Sequence, residues 1–193
     1  PGTWVESIQI TKGAGSVVNG YESISGQINT VLIKPINDIP FFLNAYGSTD
    51  SRFELNTHFN KPLSDKWSSS LFLHGNTRVA KTDMNDDGFL DNPLAKQINI
   101  LNRYQYYNAE KGWVSFINFR YMNDEKQMGE LAFDPKRDKG TTNHWGSEIN
   151  TERLDISTKV GYVFKDMPYQ SVGFQNAFNS HNQQSYFGLN QYN

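Results

Sequence analysis

Apolar and polar residues alternate with a period of two along almost the whole chain, and the recurrence of an amphipathic helix is hard to find anywhere. Two short alternating runs come first, at 5–11 and 27–34. After a break marked by Pro35 and Pro40 the runs lengthen, at 41–48, 52–61, 67–79, 98–108, 113–125, 153–164 and 169–180. In the run 52–61, Phe53, Leu55, Thr57 and Phe59 share one face, while Glu54, Asn56, His58 and Asn60 share the other. The pattern predicts an all-β chain of antiparallel amphipathic strands.

The connections sharpen that expectation. Short turns at 49–51, 62–66, 109–112 and 165–168 are interspersed with long polar loops at 80–95 and 127–150. Runs of about ten residues are long for a soluble sheet but suit a tilted crossing of a bilayer. Trp113, Ser115, Ile117, Phe119 and Tyr121 form a face with aromatics at both ends, and Leu154, Ile156, Thr158, Val160, Tyr162 and Phe164 form another. Asn118, Arg120, Asp155, Ser157 and Lys159 line the opposite faces. An apolar exterior, a polar interior and aromatic girdles are what a transmembrane β-barrel requires. The turns 62–66, 109–112 and 165–168 then lie on the periplasmic side, and 49–51, 80–95 and 127–150 lie outside. The competing expectation is a soluble β-sandwich with one wet face per sheet.

Composition agrees with two-faced strands. Aromatics make up 14% of the 193 residues, yet the mean hydropathy is −0.65. No run of roughly 18 apolar residues exists, which excludes a membrane-spanning helix. The net charge of −2 gives no electrostatic case for a nucleic-acid partner. Without cysteine there is no disulfide, thiolate-metal site or thiol chemistry. The opening Pro-Gly-Thr-Trp shows no basic start followed by an apolar stretch, and the chain reads as a fragment.

The segment from Lys12 to Pro35 holds four glycines, Gly13, Gly15, Gly20 and Gly26. It lacks the order and the strand–loop–helix setting of a phosphate-binding loop. Tight turns between short strands account for the glycines better. The run Val5-Glu-Ser-Ile-Gln-Ile-Thr-Lys-Gly13, then Ser16-Val-Val-Asn-Gly-Tyr21, then Ser25-Gly-Gln-Ile-Asn-Thr30 resembles the end of the plug domain in TonB-dependent outer-membrane receptors, and Asp83 to Asp91 with Gln97 to Tyr104 resembles an early external loop and strand of their Bacteroidetes branch. Gln27, and the pair Glu22-Ser23, are mild departures from the commoner residues of that pattern.

The resemblance implies two parts: 1–35 as the C-terminal part of a plug, and 36–193 as the first seven or so strands of a barrel. It implies glycines at the plug–barrel junction. It further implies a transporter of the outer membrane, not an enzyme, that binds a scarce nutrient (an iron chelate, cobalamin, a metal or a glycan) and imports it with energy from the TonB system. That system would engage an N-terminal region of the full-length protein, and outer-membrane lipid would surround the strands. Receptors of this kind close barrels of about 22 strands, so the fragment by itself leaves two bare edges.

One motif carries metal chemistry. Asp83, Asn85, Asp87, the carbonyl of Phe89 and Asp91 stand at positions 1, 3, 5, 7 and 9 of a calcium-type loop, with Gly88 at position 6. Position 12 is Leu94, not the bidentate acid, and the flanks read as strands, so a solvated acidic turn competes with a calcium site. His58, His74, His144 and His181 lie in different elements without metal-ligand spacing. His144 beside Trp145 is the pair to examine for ligand contact. No spacing suggests catalysis. A soluble carbohydrate-binding β-sandwich and an all-β glycan-degrading enzyme are the rival functions.

Overall fold

The computed structural model describes residues 1–15, 24–36, 38–167 and 169–192. A single 3-10 turn, Gly2–Trp4, leads into an antiparallel ribbon of β1 (Val5–Lys12) and β2 (Gly26–Leu32), with an irregularity between Val5 and Ser7. Eight strands then form one antiparallel meander: β3 (Phe41–Gly47), β4 (Arg52–Pro62), β5 (Trp67–Arg78), β6 (Leu94–Asn108), β7 (Trp113–Gly129), β8 (Gly146–Val163), β9 (Ser171–Phe187) and the short β10 (Asn190–Tyr192). Spatial order follows chain order throughout, and the outermost strands β3 and β10 do not pair with each other. The sheet is open. The fold is therefore all-β and antiparallel, as the alternation predicts.

Register decides which residues share a face. Phe41 pairs with Phe59, Phe59 with Leu71, Leu71 with Asn102, Asn102 with Phe119, Phe119 with Ile156 and Ile156 with Phe178. One slip of a residue would flip a strand's set to the other side, and no such slip interrupts this row. The apolar stripes predicted on separate strands thus merge into a single surface seven strands wide. That surface is left open: Phe119 is 44% and Phe178 58% exposed. Across β4–β6 the opposite face is the covered one, with Asn56 at 2% and His74 at 7%, while β9 is exposed on both faces over most of its length. Polar-in and apolar-out is the reverse of a water-soluble protein.

The apolar band has a definite height. From Trp113 to Tyr121 it rises about 27 Å along the strand. Aromatic rings edge it at the short-turn end, where Phe41 meets Phe59 at 5.2 Å, Trp67 meets Tyr106 at 5.1 Å and Trp113 meets Tyr162 at 4.8 Å. At the other end the same face turns polar, with Asn123, Glu125 and Gln127 opposite Glu152, Asn150 and Glu148.

Here the strands outrun the sequence pattern. β7 ends at Gly129 and β8 begins at Gly146, inside the expected 127–150 loop, and β9 runs to Phe187 instead of 180. Both faces are polar in these extensions, so hydrophobic alternation ends while the backbone ladder continues. The turns 63–66 and 109–112 and the connection 164–170 lie at the girdle end; 48–51, 79–93 and 130–145 lie at the far end, as the alternation of short and long connections predicts.

The ribbon sits on the polar face. Trp4 is buried against Phe72 and Leu101, with Leu32 and Ile33 packed alongside. The Trp4 and Phe72 rings stand 5.6 Å apart. The Arg103 guanidinium donates to the carbonyls of Leu32 and Ile33, both at 3.1 Å, and stacks on Phe116 at 4.6 Å. Arginine suits this place because its planar head satisfies two carbonyls and lies flat on a ring. Replacing Trp4 with alanine should cost about 3–5 kcal/mol of local packing. Hydrogen exchange should then quicken in β1 and β2 while β7 and β8 keep their protection; unchanged ribbon protection would contradict this anchor.

Candidate functional site

Two regions gather the residues singled out by sequence. The first is the β1–β2 ribbon, whose glycines lie at the end away from Val5 and Leu32, which lead to the sheet. Gly13 has φ +89°, a left-handed conformation that disfavours a side chain, and its N–H donates to Ser25 O at 3.3 Å. Gly26 pairs with Lys12 at the end of the ribbon, where an added Cβ would lie 3.0 Å from Thr11 O. Gly15 follows Gly13 and is half-buried, and Gly20 lies outside the described residues. Gly13 and Gly26 therefore shape the base of the hairpin.

Beside Trp4, whose ring stands 6.5 Å from His74, a line of side-chain hydrogen bonds crosses five strands. Asn56 donates to Asn44 at 3.3 Å, and His74 meets Asn56 through Nδ1 at 2.7 Å and Gln97 through Nε2 at 3.0 Å. Gln97 then donates to Asp124 at 3.1 Å. Arg120 continues on the next row, to Asn99 at 3.1 Å and towards Asp155 at 3.9 Å. His58 contacts Asp38 at 2.5 Å and stacks on Phe42. His181 lies in the β9 row that faces Arg153. Three of the four histidines thus occupy the polar face, and among the described residues no group of three or more His, Asp or Glu is placed to hold a metal.

The second region is the cluster of loops at the far end. In the loop 79–93, Asp83 accepts from the amides of Asp87 (3.1 Å) and Gly88 (2.8 Å), and Asp91 accepts from Met84 N at 2.8 Å. Asp87 accepts from Phe89 N at 2.8 Å and from the Asn85 amide at 3.0 Å. The carboxylates of Asp83, Asp87 and Asp91 are thus engaged in holding the turn. Phe89 itself bridges to Glu130, and Leu131 N donates to Gly88 O at 2.9 Å, which locks this loop to the next.

The loop 130–145 is built around α1 (Pro135–Asp138). Asp134 caps it by accepting from Lys136 N at 2.9 Å, with Pro135 in the first turn, where its missing N–H is harmless. Asp138 is fully buried and takes a two-pronged contact from Arg137 at 2.9 and 2.8 Å, plus Asp134 N at 2.9 Å. The Arg137 guanidinium, followed by that backbone N–H, holds the Asp138 carboxyl down to about 2. Phe133 stacks on Tyr186 and Lys81 Nζ donates to Leu131 O at 2.5 Å, fastening the loop to β9 and to its neighbour.

Glu130 closes the arrangement. Its carboxylate accepts from Trp145 N and meets His144 Nδ1, both at 2.8 Å, and these two contacts, the backbone N–H foremost, hold its ionisation below the usual carboxylate range. Sequence marks His144 and Trp145 but gives no sign of Glu130, because fourteen residues of loop separate acid from histidine. Phe133 and Tyr186, on different elements, are equally invisible there. Compared with family profiles, curated proteins and solved structures, the chain matches none of them.

A lowered Asp138 carboxyl stabilises the loop fully above the ordinary value of about 3.9. That contribution is lost as pH falls through about 2. Amide exchange in 130–145, corrected for its intrinsic pH dependence, should therefore rise between these limits. In Asp138→Asn the loop should be looser at neutral pH and this acid step should vanish; a step that persists in the variant belongs to another group.

Proposed function

We propose that the chain is a fragment of a TonB-dependent outer-membrane receptor, carrying the end of the plug and the first barrel strands. The observation that carries this reading is the exposed apolar surface of β3–β9 opposite a polar face that is buried across β4–β6. A soluble sandwich would cover the apolar side with a second sheet, yet the β1–β2 ribbon lies on the polar side. Lipid is the solvent that makes an apolar exterior favourable. The glycine-turned ribbon, docked by Trp4 and Arg103 on the polar face, takes the place of a plug strand pair leaving through the barrel lumen.

In this reading the protein resides in the outer membrane and does not act as an enzyme. It takes up a scarce nutrient (an iron chelate, cobalamin, a metal or a glycan) with TonB as its energy-coupling partner. The bare edge of β3, and that of β9 outside its short pairing with β10, are completed by the other strands of the receptor, since an open edge is not tolerated in a bilayer. Calcium in the loop 83–91 belongs to the same proposal, with Asp83, Asn85, Asp87, the Phe89 carbonyl and Asp91 as its oxygens.

Two experiments test these statements. Phe119→Lys or Ile156→Lys inside the apolar band should destabilise the protein folded in lipid vesicles by up to about 2–4 kcal/mol, whereas Asn118→Lys on the polar face should change little. A protein that stays in the aqueous phase without detergent, or that tolerates Phe119→Lys, is not a barrel piece. For calcium, the metal should raise the thermal midpoint of the detergent-solubilised protein and Asp83→Ala should abolish that rise. No response in the unsubstituted protein removes calcium from the proposal.

A further inference from the structure

At the far end of the sheet, between the loop 130–145 and the β9–β10 turn, lies a cleft of about 430 Å³, within the range of small-molecule sites. Its walls include Trp145, Glu130, His144, Thr141, Thr142 and Asn190. Trp145 presents an indole that is 47% exposed, although its backbone is fixed at both ends: its N–H reaches Glu130 at 2.8 Å, and its carbonyl accepts from Glu130 N at 3.0 Å. The indole edge lies against Gly188, whose φ of +59° and missing side chain leave it room, and Phe89 supports it at 6.3 Å between ring centres. A half-exposed aromatic plane held this firmly has lost its freedom before any ligand arrives.

We propose that this cleft binds a neutral saccharide, stacked on Trp145 with its hydroxyls turned to His144, Thr141, Thr142 and Asn190. The chemistry of the walls selects the class. An amphipathic indole plane suits the apolar face of a sugar ring, and the hydroxyl and amide groups can each donate or accept. With Nδ1 of His144 engaged by Glu130, Nε2 is the nitrogen left for a sugar hydroxyl. The lining carries a carboxylate and neither lysine nor arginine, which disfavours carboxylate or catecholate metal chelates. Glu130 acts as a positioning residue, since both of its oxygens are committed to His144 and Trp145. The inference narrows the nutrient of the receptor reading to a glycan and rests on that reading only for the purpose of binding, not for the site.

The test is calorimetric titration of the folded protein in detergent micelles with maltohexaose, cellohexaose and xylohexaose, and with ferric citrate as the anionic chelate. At least one oligosaccharide should bind saturably. Trp145→Ala should weaken it by roughly tenfold or more, the loss of one stacking contact. Trp145→Phe, which keeps a flat ring, should retain most of the affinity and guards against a variant that merely misfolds. His144→Gln should weaken binding by several-fold. Saturable binding of ferric citrate that depends on Trp145, or no saturable binding of any of the three oligosaccharides, overturns the proposal. Saccharide binding by a protein that proves water-soluble sinks the receptor reading and leaves the site. Membrane insertion without saccharide binding does the opposite.

Discussion

The cross-strand register of β3 to β9 is the constraint on which everything else depends. Each strand is amphipathic by itself, but a face becomes a surface only when every neighbour presents the same parity of residues. The row Phe41, Phe59, Leu71, Asn102, Phe119, Ile156, Phe178 holds that parity across seven strands. Through it the aromatic pairs gather at one end of the band, the polar side chains gather on the other face, and the loops emerge in alternation. A single slipped strand would put asparagine, histidine and arginine among phenylalanines and break both surfaces at once.

The polar face answers to a second requirement. Buried amides, imidazoles and carboxylates need partners, or each carries a desolvation cost of about 1–3 kcal/mol. The line through Asn44, Asn56, His74, Gln97 and Asp124 meets that need from strand to strand, so the face is cross-linked rather than only wet. Into it the ribbon inserts one apolar anchor, Trp4, and receives one cationic clasp, from Arg103 to the carbonyls at the end of β2. The docking is narrow and largely made by these contacts.

Beyond the apolar band the chemistry changes. β7, β8 and β9 continue with polar residues on both faces, and the loops they carry are held by charge and hydrogen bonding: Asp138 with Arg137, Glu130 with His144, Lys81 with loop carbonyls. Aromatic contacts there are few, Phe133 on Tyr186 and Phe89 beside Trp145, but each joins different elements. The result is a structured cap instead of a set of independent loops, and the cleft beside Trp145 is a product of that assembly.

The sequence by itself determined the strands, their amphipathic faces and the alternation of short and long connections, because a period of two and turn-forming residues are local signals. It also marked Gly13 and Gly26 as turn residues and the Asp83 loop as an oxygen-rich turn. It could not show where β7, β8 and β9 end, since hydrophobic alternation stops at the edge of the apolar band while backbone pairing needs no apolar face. Only the tertiary structure decided which faces merge, that Trp4 and Arg103 fix the ribbon, and that Glu130 clamps His144 and Trp145. Those are contacts between residues far apart in the chain. They exist only once the register of the sheet has brought their strands and loops together.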